Sequence, residues 1–241
     1  VRRILKLKFL LGLFEQRFTD ESKISITVGN VKIRRKNLQV ARESVVLLKN
    51  QNNTLPLSPS IKKLAVIGPN ADNLYNQLGD YTATQRQGQG VTVLSGLRKK
   101  APAHMEIAYA KGCGIRDESM DGFQEAIEIA RDSEIIVAVV GGSSARNFDI
   151  QFDSNGAAIL GNRPVDMDCG EGVDVADLKL GGVQEELISE LARLGKPLIG
   201  IVIQGRPYAI GSLVKMCQAV LCGWYPGEEG GEALAEILFG S

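Results

Sequence analysis

Phe123-Gln124-Glu125-Ala126-Ile127-Glu128-Ile129-Ala130-Arg131, followed by Ile135-Ile136-Val137-Ala138-Val139-Val140, is the stretch on which the fold turns. The first part reads as a helix and the second as the strongest strand in the chain. A continuous apolar run with no polar alternation marks a strand covered on both faces. The same alternation extends outward. Leu64-Ala65-Val66-Ile67-Gly68 is a buried strand and Ile107-Ala108-Tyr109-Ala110 a weaker one. Residues 184–194 form a helix pattern, 198–203 a strand, Ala219-Val220-Leu221-Cys222-Gly223 a fifth strand, and 230–239 a closing helix. Strands alternating with helices predict an α/β fold: a doubly wound, mostly parallel sheet in a sandwich of five or six strands.

Toward the amino end the pattern is helical. Residues 1–14 carry Ile4, Leu5, Leu7, Leu10 and Leu11 at helical spacing, with a stop expected near Gly12. This helix has little of its own to pack against, so its apolar face expects a partner. A second helix is predicted over 35–49, with Leu38, Ala41, Val45 and Leu48 on one face, and residues 50–60, with Pro56 and Pro59, read as a connector. The chain starts at Val1 without a methionine and stops just after a helix pattern. A piece of a longer protein is therefore expected.

Composition excludes several classes of function. Lys+Arg and Asp+Glu number 28 each among 241 residues, so no electrostatic footprint for nucleic acid or an anionic membrane exists. No apolar run reaches the length of about 18 residues that a membrane span needs. Cys113, Cys169, Cys217 and Cys222 form no C-x-x-C pair, and His104, the single histidine, completes no zinc site with them. Free structural thiols lean toward a reducing, cytoplasmic compartment.

In such sheets ligands meet the loops at the carboxyl ends of the strands. Those loops begin Gly68-Pro69-Asn70, Gly141-Gly142-Ser143-Ser144, Gln204-Gly205-Arg206-Pro207 and Gly223-Trp224-Tyr225-Pro226. The Gly141 to Arg146 stretch resembles a phosphate cradle, but no helix follows directly and neither a Walker sequence nor G-x-G-x-x-G is present. A glycine turn that lets a long loop leave the sheet is the better reading. A Ser/His/Asp hydrolase would need His104 as base, and there is no G-x-S-x-G elbow. Glu228 and Glu229 suit the start of the closing helix, a structural role.

The long loop holds Asp166-Met167-Asp168-Cys169-Gly170-Glu171-Gly172-Val173-Asp174, four carboxylates and two glycines in nine residues. It lies in a connection with no clear helix or strand pattern, and loops of that length in a compact domain are usually functional. EF-hand spacing is not met. A catalytic carboxylate is one reading and a solvated turn the other; spacing alone does not rank the four.

Beyond these residue patterns, the chain resembles glycoside hydrolase family 3, the β-glucosidase and β-xylosidase group. Leu5-Lys6-Leu7-Lys8-Phe9-Leu10-Leu11-Gly12-Leu13-Phe14-Glu15 is similar to the end of that family's (β/α)8 barrel. Ala41-Arg42-Glu43-Ser44-Val45-Val46-Leu47-Leu48-Lys49-Asn50 with Leu55-Pro56-Leu57 resembles the helix and connector into its second domain. Ala65-Val66-Ile67-Gly68-Pro69-Asn70-Ala71 resembles the first strand and turn of the α/β sandwich. Gly170-Glu171-Gly172-Val173-Asp174, Gln184-Glu185-Glu186-Leu187-Ile188, Gly205-Arg206-Pro207 and Trp224-Tyr225-Pro226-Gly227 complete the pattern. Val175 stands where the family usually has arginine, and Gly181 where it often has proline.

The resemblance implies residues 1–18 as the last barrel helix, 19–60 as a helical linker, and 61–241 as a sandwich ending before its last strand. It implies a retaining, exo-acting β-glycosidase that needs no metal or cofactor, with a β-glucoside or oligosaccharide substrate and β-xyloside as runner-up. Glu171 becomes the general acid/base, partnered by an aspartate nucleophile on a barrel domain absent from this chain, so the chain alone is expected to be inactive. Ser144, Arg146 and Asp174 are the candidates for substrate contact. The rival readings are a non-catalytic carbohydrate-binding or regulatory α/β module and, third, a nucleotide-binding domain. Self-association into a homo-oligomer is left open.

Overall fold

The computed structural model describes residues 1–85, 88–145, 151–152, 154–155, 158–159 and 166–240. It divides into two compact units, Val1–Lys36 and Asn37–Ser241. In the first, α1 (Arg2–Leu10) ends just before Gly12, whose φ of +67° supplies the left-handed turn expected there. Ile4, Leu7, Phe9 and Leu10 remain exposed. The Asp20 side chain caps a short 3-10 turn by accepting the Ser22 N–H, and α2 (Ile24–Thr27) follows. Asn30 Oδ1 accepts the Ile33 N–H at 3.0 Å and starts α3 (Val31–Ser44), which spans the division.

The second unit contains β1 (Val46–Asn50), β2 (Lys63–Ile67), α4 (Val93–Lys100), β3 (Glu106–Ala110), α5 (Phe123–Arg131) and β4 (Ile135–Gly141). Then come β5 (Gln151–Phe152), β6 (Ala158–Ile159), α6 (Gln184–Ala192), β7 (Leu198–Ile203), α7 (Gly211–Met216), β8 (Ala219–Trp224) and α8 (Gly230–Phe239). Six strands form one sheet in the order β1-β8-β7-β4-β2-β3, parallel except for β1. This is the doubly wound α/β sandwich that the apolar runs predict.

Alternation within β4 shows why its sequence is apolar throughout. Val137 and Val139 join a core with Val93, Leu97, Leu234 and Leu238 from α4 and α8. Ile136, Ala138 and Val140 face the opposite core, with Phe123, Ala126, Leu187 and Leu191 from α5 and α6. Helices α4 and α8 meet at glycine. A Cβ on Gly96 would stand 2.1 Å from the Gly231 carbonyl oxygen, and one on Gly231 would stand 2.0 Å from that of Thr92.

Two parts of the sequence reading need correction. The helix expected over 35–49 stops at Ser44, and Val46–Asn50 becomes the antiparallel edge strand β1 instead. Val45-Val46-Leu47-Leu48 satisfies either period, and the open edge of β8 offers backbone partners that a further helical turn lacks. The long connection after β4 contains a two-stranded hairpin, β5 with β6, whose two-residue strands leave no periodicity to read. Helices α4 and α7 have no counterpart in the sequence reading either: they are only 8 and 6 residues long, and α4 carries glycine at its centre. No helix among the described residues is long and apolar enough to cross a membrane.

From β2 the chain steps to the edge strand β3, then returns to place β4 on the other side of β2. The loops after β2 and β4 therefore diverge at the topological switch point, where sheets of this kind hold ligands.

An ion network ties α3 and α4 to α8. Arg42 reaches Glu236 with Nε–Oε2 at 2.5 Å and Nη2–Oε1 at 2.8 Å, and Lys100 lies 3.0 Å from both Glu232 and Glu236. Lys99 adds a contact to Glu232 at 2.9 Å. The Arg42 hydrogen bonds, with Lys100, hold the Glu236 carboxyl below its ordinary range against the opposing effect of burial. A depressed folded-state pKa stabilises the fold above the unfolded value of about 4.3 and ceases to do so as pH falls through the folded value. Glu236→Gln is expected to lower stability by about 1–2 kcal/mol at pH 7. Urea unfolding of both proteins at about pH 3 should show that deficit shrinking.

Candidate active site

The acidic loop is fastened to the carboxyl ends of the parallel strands one residue at a time. Asp168 is 2% exposed. Its Oδ1 accepts the Ser143 N–H at 2.8 Å and its Oδ2 accepts the Tyr208 hydroxyl at 2.5 Å, while its own N–H donates to the Ser143 carbonyl at 2.9 Å. Burial and this carboxylate together push the Tyr208 phenol well above its ordinary pKa, so it stays a donor. Ser143 is anchored in turn: its Oγ meets Asn76 Oδ1 at 2.7 Å, and Asn76 Nδ2 meets Asn70 Oδ1 at 2.6 Å. Gly142 is required here, because a Cβ would stand 1.8 Å from the Tyr208 oxygen.

The neighbouring residues are held by other loops. Asp166 accepts the backbone N–H groups of Ile115 and Arg116 at 3.2 and 2.9 Å, beyond β3. Cys169 Sγ lies 2.9 Å from the Tyr225 hydroxyl, beyond β8. The Tyr225 ring fits between glycines: a Cβ at Gly79 would stand 3.2 Å from it, and one at Gly205 2.5 Å. Asp174 accepts from Arg206 Nη1 at 2.8 Å, beyond β7. That bond, helped by the Val175 N–H, keeps the Asp174 carboxyl below its usual range.

Between these anchors Gly170-Glu171-Gly172-Val173 makes a tight turn, with the Val173 N–H donating to the Gly170 carbonyl at 3.2 Å. Gly172, in third place, has a φ of +75°, as a type II turn requires. Glu171 therefore occupies the corner of the turn, exposed at its tip. Of the four carboxylates, Asp166, Asp168 and Asp174 hold backbone or a cation in place. Glu171 is presented outward, its Oε2 accepting the Tyr81 hydroxyl at 2.7 Å and its N–H donating to Asp80 at 2.9 Å.

The other sequence candidates separate. Asp174 sits at the far foot of the same turn, engaged with Arg206. Ser144 is 2% exposed at the base of the loop. Arg146 lies outside the described residues. His104 precedes β3, at the amino end of the sheet, and its Nε2 meets the Pro59 carbonyl at 2.8 Å, far in topology from the strand-end loops. All four cysteines are buried free thiols, and burial pushes those of Cys113 and Cys217 up to about 12. No group of three His, Cys, Asp or Glu side chains among the described residues is arranged to hold a metal. Sequence reasoning missed Asp80 and Tyr81, because nothing local links them to a turn some ninety positions away.

The switch-point loop of this doubly wound sandwich carries Glu171 on a tight turn. The sequence profile described as the glycosyl hydrolase family 3 C-terminal domain matches residues 45–241. A β-xylosidase of Formosa agariphila is 39% identical over 245 residues, which take in 99% of this chain and 31% of that protein. The periplasmic β-glucosidase of Salmonella typhimurium is 32% identical over 264 residues, 99% of this chain and 32% of that protein. Among solved structures, a β-glucosidase from Erythrobacter marinus superposes with a TM-score of 0.79 at 34% identity, covering 99% of this chain and 32% of that one. The chain belongs to glycoside hydrolase family 3 and spans about a third of the length of the curated relatives it matches.

Asp168→Ala is expected to strand the Ser143 N–H and the Tyr208 hydroxyl at about 1–3 kcal/mol each. Urea unfolding should register that loss, and limited proteolysis should cut within residues 166–174 faster than in the parent.

Proposed function

We propose that this chain supplies the general acid/base, Glu171, of a retaining, exo-acting β-glycosidase that hydrolyses terminal β-D-glucosides. The observation that carries the reading is the division of labour in the acidic loop: Asp166, Asp168 and Asp174 are engaged in holding it, and Glu171 stands at its exposed corner. Family membership supports it, as does the position of the loop at the switch point of the sheet. The nucleophile is an aspartate on a (β/α)8 barrel preceding these residues, with residues 1–18 as the last barrel helix and the stretch from residue 19 to the end of α3 as the linker, since β1 already belongs to the sandwich sheet. The exposed apolar side chains of α1 suit that role. Without the barrel the chain alone is inactive.

The chemistry takes two steps. In the first, the Glu171 carboxyl gives its proton to the glycosidic oxygen as the bond from C1 to that oxygen breaks and the aspartate attacks C1. The leaving alcohol departs and a glycosyl ester remains. In the second, the Glu171 carboxylate takes a proton from water, whose oxygen attacks C1 and frees the aspartate. A retaining pair stands about 5–5.5 Å apart across the scissile bond. A carboxylate on the corner of a turn, rather than within the sheet, can reach that distance from a separate domain. Neither step calls for a metal or an organic cofactor. The runner-up activity is that of a β-xylosidase, favoured by the β-xylosidase of Formosa agariphila among the relatives.

Glu171→Ala in the full-length enzyme tests the assignment. For an alkyl or phenyl β-glucoside, kcat/KM should fall by about 10²–10⁴-fold. For a 2,4-dinitrophenyl glucoside, whose leaving group needs no proton, kcat/KM should hold within roughly tenfold. An unchanged rate on the poor leaving group would leave only a binding or structural role for the domain.

A further inference from the structure

Two consecutive residues of the loop after β2 reach Glu171 from 91 and 90 positions away. The Glu171 N–H donates to Asp80 Oδ2 at 2.9 Å, and the Tyr81 hydroxyl donates to Glu171 Oε2 at 2.7 Å. The pair is itself firmly placed. Asn76 and Gln77, just upstream, are buried. Asn76 is tied to Asn70 and Ser143, while Gln77 Nε2 donates to the Val91 carbonyl and its Oε1 accepts the Val93 N–H, both at 3.1 Å. Gly79 lies against the Tyr225 ring, and the Thr82 hydroxyl donates to the Leu78 carbonyl at 3.1 Å. Asp80 and Tyr81 thus stand on a braced segment at the same switch point as the turn they touch.

The turn needs such a brace. Gly170 and Gly172, with φ of +125° and +75°, flank Glu171 on both sides. Glycine leaves the backbone free to take other conformations. A displacement of about 1 Å at a reacting group can cost on the order of 10²-fold in rate. Asp80 also closes on Gly170 directly, since a Cβ there would stand 3.1 Å from its Oδ2.

We infer that Asp80 and Tyr81 are positioning residues for Glu171: Asp80 fixes the backbone of the turn, and Tyr81 holds its carboxyl group through Oε2. The inference rests on the acid/base reading of Glu171. The Tyr81 hydroxyl donates to Oε2 whether the Glu171 carboxyl is protonated or ionised. The tyrosine proton stays on the tyrosine throughout.

The test uses full-length enzyme carrying Asp80→Ala, Asp80→Asn, Tyr81→Phe or Glu171→Ala, assayed on glucosides of graded leaving-group acidity. Asp80→Ala and Tyr81→Phe should each lower kcat/KM on the alkyl or phenyl glucoside by roughly tenfold or more. On the 2,4-dinitrophenyl glucoside kcat/KM should stay within about twofold, while kcat and KM fall together because the base-dependent second step slows. Asp80→Asn keeps an acceptor oxygen for the Glu171 N–H and should restore most of the loss. Tyr81 is 82% exposed, so its loss of a hydroxyl leaves the fold intact. An equal loss on every substrate, full activity in both variants, or Asp80→Asn as poor as Asp80→Ala overturns the inference. If Glu171→Ala itself shows no leaving-group dependence, the acid/base reading fails and takes the inference with it. If Glu171→Ala shows it and the other variants do not, the inference fails alone.

Discussion

A carboxyl group buried under the acidic loop governs everything placed above it. Asp168, out of contact with solvent, can exist there only because Ser143 and Tyr208 give it hydrogen bonds from two different strand ends. That pairing draws the loop onto the sheet between the ends of β4 and β7. Asp166 and Asp174 then secure it on either side, through the backbone beyond β3 and through Arg206. The corner holding Glu171 faces outward. Rigidity below and exposure above are two results of one arrangement.

The supporting side chains also account for motifs that look separate along the chain. Gly205-Arg206-Pro207-Tyr208 contributes the cation for Asp174 and the hydroxyl for Asp168. Trp224-Tyr225-Pro226-Gly227 contributes the hydroxyl that meets Cys169. The glycines near them provide clearance for the Tyr225 ring and for close helix packing between α4 and α8. These loops hold the acidic loop in place rather than forming independent sites.

Much of the fold was legible because each central strand is apolar on both faces, a pattern that survives without knowledge of its neighbours. The five parallel strands and helices α5, α6 and α8 follow from it. The edge strand β1 was not legible, since Val46–Asn50 has one neighbouring strand and half-exposed side chains, so tertiary pairing rather than local pattern decides its conformation. The candidate site was legible in part. Four carboxylates in nine residues mark the loop, yet only the family resemblance singles out Glu171, and only the folded chain shows that Asp166 and Asp168 hold backbone N–H groups and Asp174 holds Arg206. Asp80 and Tyr81 lay beyond reach because their relation to Glu171 is set by two loops meeting at the switch point, not by any spacing.

On the proposed reading catalysis is divided between two domains of one enzyme: Glu171 is placed by the sheet-end loops, and the nucleophile comes from the barrel. A substitute for water should then reveal the loss of Glu171. Azide needs no base, so with an aryl β-glucoside and the Glu171→Ala full-length enzyme it should attack the glycosyl ester from the face that water uses. Proton NMR of the product should show the β-glucosyl azide, the outcome of two inversions. An α-azide, or no azide product alongside an undiminished hydrolysis rate, would contradict the assignment of Glu171 as the acid/base of a retaining pair.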